Sequence, residues 1–201
     1  MAPRDPPAEF RAATLDLAEI PTGRRFGRIY HQRFVDPLGW GVGRSRFSDP
    51  RRRVEGRFGV LYLGSSLKVC FLEAVLRDAG DGRVGDHPMA EAELDTRLYA
   101  DVEVREPLQL VDLTGDHAIR QGVPSDIVRA SHQAPARRWS LAFHGHPQAL
   151  DGILYPSRLN GEVNLALYDR AIHKLTTISV TPLRRARGLA QVLNTLAVAL
   201  I

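Results

Sequence analysis

The apolar residues of this chain fall in short runs, and these runs alternate irregularly between strand-like and helix-like spacing. The pattern predicts strands over Arg24–Phe34, Phe58–Gly64, Leu98–Val104, Leu108–Leu113, Gly152–Tyr155, Val163–Tyr168 and Ile178–Val180. It predicts helices over Ser66–Asp78, with Ser66 as N-cap and Gly80 as stop, and over Asp116–Gln121, Ser125–Ala130, Pro135–Phe143 and Leu189–Leu200. Because strands and helices do not alternate regularly, we expect an α+β fold rather than a doubly wound parallel sheet.

Length and composition are those of a globular protein. A chain of 201 residues, 44% of them hydrophobic, can bury roughly 70% of its unfolded surface. Its apolar runs are shorter than the roughly 20 residues of a membrane-spanning helix, and the N-terminus carries charges and prolines where a secretory signal is apolar. The single cysteine, Cys70, excludes an internal disulfide framework. We therefore expect a cytoplasmic protein without a membrane partner.

The first 25 residues differ from the rest of the chain. Three prolines fall within the first seven positions, and one short amphipathic turn follows. We predict that residues 1–25 form a loosely ordered leader and that residues 26–201 form one domain.

Positive charge is concentrated in one stretch. Residues 24–57 hold ten arginines and three acidic residues, so this stretch carries a net +7 and the remainder of the chain −3. A field this local indicates an anionic partner. Within it, Gly39–Phe47 combines glycines with arginines, which is typical of either a flexible turn or a phosphate-binding loop. No helix follows the glycines, so the Rossmann and P-loop motifs are excluded.

Glu73 lies in the middle of the predicted helix Ser66–Asp78, and most of its helical neighbours are apolar. A carboxylate on an apolar face is costly unless it is paired or hydrogen-bonded. Glu73 either forms an ion pair with Arg77 one turn later or points into a cleft.

Two other segments carry candidate chemistry. Ser157 follows the predicted strand Gly152–Tyr155; it lacks the G-x-S-x-G elbow of a serine nucleophile, and a hairpin turn also accounts for it. His144 and His146 lie two residues apart, but a zinc site needs a third protein ligand that the sequence does not supply nearby. We expect no metal site.

The order of these features resembles the RES domain, a family named for an arginine, a glutamate and a serine. Arg28 is followed by Ser45–Arg46–Phe47, by Val60–Leu61–Tyr62–Leu63, by Cys70–Phe71–Leu72–Glu73–Ala74–Val75 and by Gly152–Ile153–Leu154–Tyr155–Pro156–Ser157. The three residues that give the family its name fall on Arg46, Glu73 and Ser157. The resemblance spans about residues 26–181.

Such a resemblance implies a fold similar to that of ADP-ribosyltransferase toxins, with an α+β core of mixed short strands and surrounding helices. It implies the toxin of a type II toxin–antitoxin system that depletes NAD by cleaving the nicotinamide–ribose bond, with water or phosphate as acceptor. NAD is then a consumed substrate, and no further cofactor is implied. The implied partner is an Xre-like antitoxin that masks the active site in a hetero-oligomeric complex and through which any DNA is bound.

A mechanism for this cleavage, which we give as a hypothesis, assigns roles to individual residues. Arg28 and Arg46 are expected to bind the pyrophosphate of NAD, and Tyr62 to pack on its nicotinamide. Glu73 is expected to bind the ribose hydroxyls and to face the developing cation, and Ser157 to bind the nicotinamide ribose or position Glu73.

One position departs from the family. Arg44–Ser45 stands where many RES domains carry two glycines, so Arg44 is a second candidate for the anion-binding role of Arg46. Two other functions stay open: transfer of ADP-ribose to a cellular protein, and non-enzymatic nucleic-acid binding by the arginine-rich stretch. The latter would show no NAD turnover and a steep salt dependence, and the stretch lacks regularly interleaved aromatic residues and a helix-turn-helix pattern.

Overall fold

A computed structural model describes residues 5–77, 84–130 and 132–201. Strands and helices are mixed along the chain without regular alternation, and the expected α+β class, with mixed short strands and surrounding helices, is confirmed. Among the described residues, none of the helices is long and apolar enough to cross a membrane.

Eight strands form one sheet. Their bounds are β1 Leu17–Ile20, β2 Arg25–His31, β3 Val60–Gly64, β5 Arg97–Val104, β6 Leu108–Asp112, β7 Gly152–Pro156, β8 Val163–Tyr168 and β9 Leu175–Pro182. Their order is β1-β6-β7-β8-β3-β2-β5-β9, with β6 and β7 parallel and the other neighbours antiparallel. Two further strands, β4 His87–Met89 and β10 Val198–Leu200, form a small parallel sheet.

Helices flank the sheet. They are α1 Leu67–Phe71, α2 Glu91–Asp95, α3 His117–Arg120, α4 Asp126–Arg129, α5 Ala134–His144 and α6 Leu189–Thr195. A π-helical turn, Leu72–Leu76, continues α1, and 3₁₀ turns span Ala8–Ala12, Val54–Gly56, Asp169–Lys174 and Leu183–Arg185. The predicted helix over Ser66–Asp78 is therefore present from Leu67 to Leu76, and its predicted stop at Gly80 lies outside the described residues.

The N-terminal segment is more ordered than the sequence predicts. Phe10 is only 4% exposed and packs edge-on against Trp139, with 5.0 Å between ring centroids. The strand Leu17–Ile20 pairs with β6 and forms one edge of the sheet. The prediction of a loosely ordered leader is therefore wrong for the described residues 5–25. The prolines precede the segment that packs, and a short alternation of four residues is enough to form an edge strand.

The C-terminal segment also departs from its prediction. The predicted helix Leu189–Leu200 ends at Thr195, and Ala197 adopts a left-handed backbone (φ 50°) before β10 pairs with β4. The apolar residues of this tail suit a strand as well as a helix, and pairing with a distant strand decides between the two.

The sheet positions a cavity on one of its faces. The helix α1 and its π-helical turn pack near β2 and β3, and the long segment between β2 and β3 lies on the other side of the same opening. That segment is a loop, and Phe47 within it is fully buried against the core cluster of α5. The cavity is thus enclosed by regular structure on one side and by a loop on the other.

Candidate active site

One cavity of about 340 Å³ gathers residues from distant parts of the chain. Five of the six residues to which the sequence analysis gave a catalytic or substrate-binding role line it: Arg28, Arg44, Arg46, Tyr62 and Glu73. The sixth, Ser157, contacts it through Glu73. Also lining the cavity are Tyr155, Arg158, Gln133, Arg77, Asn164 and residues of β2, β3 and α1. Segments separated by more than 100 residues therefore converge on one opening.

The Glu73 carboxylate is held by two buried donors. Ser157 Oγ donates to Glu73 Oε1 at 2.7 Å, and Asn164 Nδ2 donates to the same oxygen at 3.3 Å. Ser157 and Asn164 are 3% and 4% exposed. Neither bond uses Oε2, so Glu73 presents a second carboxylate oxygen to a ligand. We call Glu73, Ser157 and Asn164 the carboxylate wall.

The alternative ion pair between Glu73 and Arg77 does not form. Arg77 Nε donates instead to the backbone carbonyl of Glu73 at 2.9 Å. Arg77 also has a positive φ of 41° at the end of the π-helical turn. Because π-helical turns occur frequently at functional sites, the position of Glu73 in this turn agrees with the cleft reading of the sequence.

Local sequence explains how α1 reaches the cavity. Ser66 caps the helix as predicted, its side chain accepting the N–H of Val69 at 3.1 Å. Gly64, at the end of β3, lets the helix approach the strand closely. A Cβ at this position would lie 2.7 Å from both Cys70 Sγ and Val69 Cγ1. A larger residue at this position would force these two side chains of α1 to shift.

Ser157 makes both a local contact within its turn and a contact with the candidate site. Its side chain accepts the N–H of Leu159 at 3.2 Å, which is the local turn contact. Its hydroxyl proton is directed at Glu73. The turn that carries it joins the antiparallel strands β7 and β8, as predicted.

Residues 44–47, which we call the arginine loop, bring Arg44, Ser45 and Arg46 to the cavity. Phe47 N–H donates to the Tyr62 hydroxyl at 2.9 Å, and the same hydroxyl shares a hydrogen bond with Ser45 Oγ at 2.9 Å. Burial raises the pKa of Tyr62, so its hydroxyl stays protonated at neutral pH. Tyr62 thus contacts both the cavity and the loop.

Arg46 is anchored at one arm. Its Nη1 donates to the Ala130 carbonyl at 2.8 Å and to the Ile127 carbonyl at 3.4 Å. Burial lowers the pKa of Arg46, and the neighbouring Tyr155 and Glu73 act in the opposite direction. A guanidinium has five donors and stays cationic in proteins, so Arg46 can hold the α4 segment and still bind an anion.

Arg28 and Arg44 differ in their surroundings. Arg28 is half-buried in β2, donates to the Pro37 carbonyl at 2.5 Å, and has its pKa lowered by burial. Arg44 is exposed at the cavity edge. A desolvated guanidinium binds an anion more strongly than an exposed one, so Arg28 and Arg46 are better placed for this role than Arg44.

Sequence reasoning missed Asn164 and Arg158. Asn164 is the one polar residue in the strand V-N-L-A-L-Y, and a buried amide in an apolar strand is a signal that could have identified it. Arg158 lines the cavity directly after Ser157, and no pattern in the sequence distinguishes it from the other arginines.

The two histidines singled out from the sequence serve the core. His144 stacks on Phe58 with 4.2 Å between ring centroids, and burial lowers its pKa. His146 is 5% exposed and packs edge-on against Phe10. Within residues 5–77, 84–130 and 132–201, no group of three or more possible metal ligands comes together.

The cavity can therefore bind an anion on one side and present a carboxylate on the other. Its guanidinium groups suit phosphate oxygens, which they can contact in pairs. The oriented carboxylate suits hydroxyl groups or a positively charged centre.

Three comparisons with known proteins show what this chain is similar to. The family profile described as the RES domain matches residues 10–187. The Sinorhizobium fredii protein named "Probable toxin y4kH" is 42% identical over 120 residues, which cover 59% of this chain and 94% of that protein. A chain in the crystal structure of the M. tuberculosis MbcT–MbcA toxin–antitoxin complex superposes with a TM-score of 0.61 at 21% identity, covering 89% of this chain and 91% of that one. This last likeness shows a shared fold.

Proposed function

This chain belongs to the RES domain family, and from that premise we propose that it is the toxin of a toxin–antitoxin pair that cleaves the nicotinamide–ribose bond of NAD. The observation that carries the proposal is the Ser157 hydroxyl directed at Glu73 in a cavity that Arg28 and Arg46 also line. The relative named as a toxin and the structural neighbour from a toxin–antitoxin complex support the biological role.

The reaction needs a group that stabilises positive charge. Cleavage of this N-glycosidic bond passes through an oxocarbenium-like ribosyl cation, and nicotinamide leaves as a neutral molecule. A fixed carboxylate stabilises that cation more than it stabilises the ground state. Ser157 and Asn164 hold Glu73 Oε1, so Oε2 can accept hydrogen bonds from the ribose hydroxyls while the carboxylate faces the cation.

The arginines bind the part of NAD that does not react. The pyrophosphate carries two negative charges, and guanidinium groups bind phosphate oxygens in a bidentate manner. In our proposal Arg28 and Arg46 hold this group, and Arg44 assists from the cavity edge. Tyr62 packs its ring against nicotinamide. NAD is consumed, and no metal or further cofactor takes part.

The test is to incubate the purified protein with NAD, with and without phosphate, and to identify the products. Free nicotinamide together with ADP-ribose indicates hydrolysis. Free nicotinamide together with ADP-ribose that carries a phosphate on its freed anomeric carbon indicates phosphorolysis. Unchanged NAD after prolonged incubation would contradict the proposal.

Labelled NAD separates the two remaining alternatives. Label that ends on a macromolecule indicates ADP-ribosyl transfer to a protein, whereas label that stays on small products supports NAD depletion. Salt-sensitive binding of DNA or RNA, without turnover of NAD, would instead favour a nucleic-acid-binding protein.

The proposed partner is an Xre-like antitoxin that covers the cavity in a hetero-oligomeric, cytoplasmic complex. The neighbour in the MbcT–MbcA complex supports a protein partner. Addition of the product of the adjacent gene is expected to stop NAD consumption, and continued consumption in a stable complex would contradict masking of the cavity.

A further inference from the structure

The arginine loop has no strand or helix to fix it, and we propose that the hydroxyls of Tyr62 and Ser140 act as positioning groups that set it for anion binding. This inference rests on the proposed function, because it assigns these two groups to binding of the NAD pyrophosphate. Neither hydroxyl needs to touch the reacting bond.

Phe47 is the fixed point of the loop. Its N–H donates to the Tyr62 hydroxyl at 2.9 Å, and its carbonyl accepts from Ser140 Oγ at 2.6 Å. Its ring is fully buried and meets Tyr155 edge-on, with 4.9 Å between centroids. Both backbone groups of this residue are therefore bonded to side chains, where a strand would bond them to backbone.

Ser45 is held in a similar way. Its Oγ shares a hydrogen bond with the Tyr62 hydroxyl at 2.9 Å, and its carbonyl accepts from Arg137 Nη1 at 3.3 Å and from Ser48 Oγ at 3.0 Å. Because Arg46 lies between two residues bonded to the same hydroxyl, Tyr62 determines where the backbone of Arg46 lies.

The bonds on the loop come from separate elements. Tyr62 belongs to β3, Ser140 and Arg137 to α5, and the carbonyls that accept from Arg46 belong to the α4 segment. A loop fixed by a few side-chain bonds loses its geometry when one of them is removed, because the freed backbone group is left buried without a partner.

Tyr62→Phe separates the hydroxyl from the ring. The ring still packs in the cavity, but the Phe47 N–H and Ser45 Oγ lose their common partner. Loss of such a bond changes an equilibrium by about tenfold. We expect the KM for NAD to rise by about tenfold while kcat changes by less than about threefold, because the pyrophosphate is bound equally in the ground and transition states.

Inorganic pyrophosphate is a probe that does not depend on catalysis. Its Kd, measured by calorimetry, is expected to rise by about tenfold in Tyr62→Phe. Ser140→Ala is expected to raise it in the same direction, by about threefold or more, because the Phe47 carbonyl loses its donor. An unchanged Kd in both variants would overturn the inference, as would a wild-type protein that does not bind pyrophosphate.

Tyr168→Phe is the matched control. The Tyr168 hydroxyl is buried, donates to the Ser140 carbonyl at 3.0 Å and lies 3.3 Å from Ser140 Oγ. It makes no hydrogen bond to residues 44–47, and its removal leaves the Ser140 hydroxyl able to donate to the Phe47 carbonyl. This variant loses a comparable buried hydroxyl, so its melting temperature should fall while its Kd for pyrophosphate stays at the wild-type value. An equal weakening in Tyr168→Phe would show that the loss comes from general destabilisation, and would overturn the positioning role.

The outcomes also separate this inference from the proposed function. A wild-type protein that binds pyrophosphate in a Tyr62-dependent way but leaves NAD intact would contradict NAD cleavage and support the positioning role. A protein that consumes NAD with the same KM in wild type and Tyr62→Phe would support the function and overturn the positioning role.

Discussion

The two sides of the cavity are built in different ways. The carboxylate wall stands on regular structure: Glu73 on the extension of α1, Ser157 at the end of β7 and Asn164 within β8. The arginine loop lies in the long segment between β2 and β3 and is fixed by single side-chain bonds. Strand pairing and helix packing fix the geometry of the carboxylate wall, whereas a few hydroxyl groups fix that of the arginine loop.

This difference has a functional counterpart in the proposed reaction. The group that must face a developing cation within a fraction of an ångström is placed by the more rigid elements. Of the groups proposed to bind the pyrophosphate, away from the reacting bond, Arg46 is placed by the loop and Arg28 by β2. Substitutions on the two sides should therefore fail in different ways, with turnover lost on one and affinity lost on the other.

Glu73→Gln should give the largest effect. The amide keeps the shape of the side chain but removes the negative charge that stabilises the ribosyl cation. We expect NAD consumption to fall by at least about 100-fold, the range seen when a principal electrostatic contributor is lost, with the Kd for NAD nearly unchanged. Turnover is measured by the release of nicotinamide.

Glu93→Gln is the control for this substitution. Glu93 is an exposed carboxylate that pairs with Arg97 on the protein surface, and its loss should leave turnover intact. Near-wild-type turnover in Glu73→Gln would show that the Glu73 carboxylate does not stabilise the transition state. It would also contradict the expected difference between substitutions that lower turnover and substitutions that lower affinity.

Arg46→Ala should chiefly weaken NAD capture. A guanidinium–phosphate contact contributes about 1.5–3 kcal/mol, which corresponds to roughly 10- to 100-fold in affinity. The apparent affinity for NAD, measured by calorimetry or from KM, should fall in this range. Arg53→Ala removes the same charge from an exposed position in the same segment and should bind NAD like the wild type. If the affinity of Arg46→Ala for NAD is unchanged, Arg44 rather than Arg46 would be the residue that binds the pyrophosphate.

Asp49→Asn tests whether the segment after the arginine loop depends on single bonds. The Asp49 carboxylate is fully buried and accepts from the N–H groups of Arg51 and Phe58 and from the Arg51 side chain. Burial by itself would raise the pKa of Asp49, but these hydrogen bonds outweigh it and lower the pKa below its ordinary value. The substitution should reduce the free energy of unfolding by about 1–3 kcal/mol at pH 7.

The pH dependence of that difference has a definite sign. A carboxyl group with a lowered pKa in the folded state stabilises the fold above its unfolded pKa of about 3.9, and this contribution is lost as the pH falls through the folded value. The difference in the free energy of unfolding between wild type and Asp49→Asn should therefore become smaller below about pH 4. Asp86→Asn, at an exposed position, should have the same free energy of unfolding as the wild type. A difference for Asp49→Asn that grows in acid would contradict a lowered pKa of Asp49 in the folded state.

Asn164→Ala should give the smallest change. Asn164 supplies the longer of the two bonds to Glu73 Oε1, and the Ser157 bond remains. We expect turnover to fall by about threefold, equivalent to the loss of one weak hydrogen bond. Asn160→Ala, in the turn that precedes β8 and bonded to Glu162, is the matched control. A loss above 100-fold would place Asn164 in direct contact with the reacting bond.

Much of the fold could be predicted because its elements carry strong local signals. Ser66 marks the start of α1, the apolar runs mark β3 and β8, and the predicted hairpin between β7 and β8 is present. The sequence failed where tertiary pairing overrode local preference: β1 and β10 are short segments that become strands because they pair with distant partners. A prediction made from local pattern does not include such partners.

The site shows the same division. The resemblance to the RES domain pointed to Arg46, Glu73 and Ser157, and the structure brings these residues to one cavity. The bond that joins Ser157 to Glu73 spans 84 residues, and no spacing in the sequence encodes its length. Asn164 carries a signal, as a polar residue in an apolar strand, whereas the second role of Tyr62 as a holder of the arginine loop follows only from its position in three dimensions.

A crystal structure of Glu73→Gln soaked with NAD tests the central claim most directly, because this variant should bind the substrate without consuming it. The account predicts intact NAD with its nicotinamide ribose within hydrogen-bonding distance of residue 73 and its pyrophosphate on Arg28 and Arg46. NAD bound outside this cavity, or bound within it with the pyrophosphate against residue 73, would contradict the account.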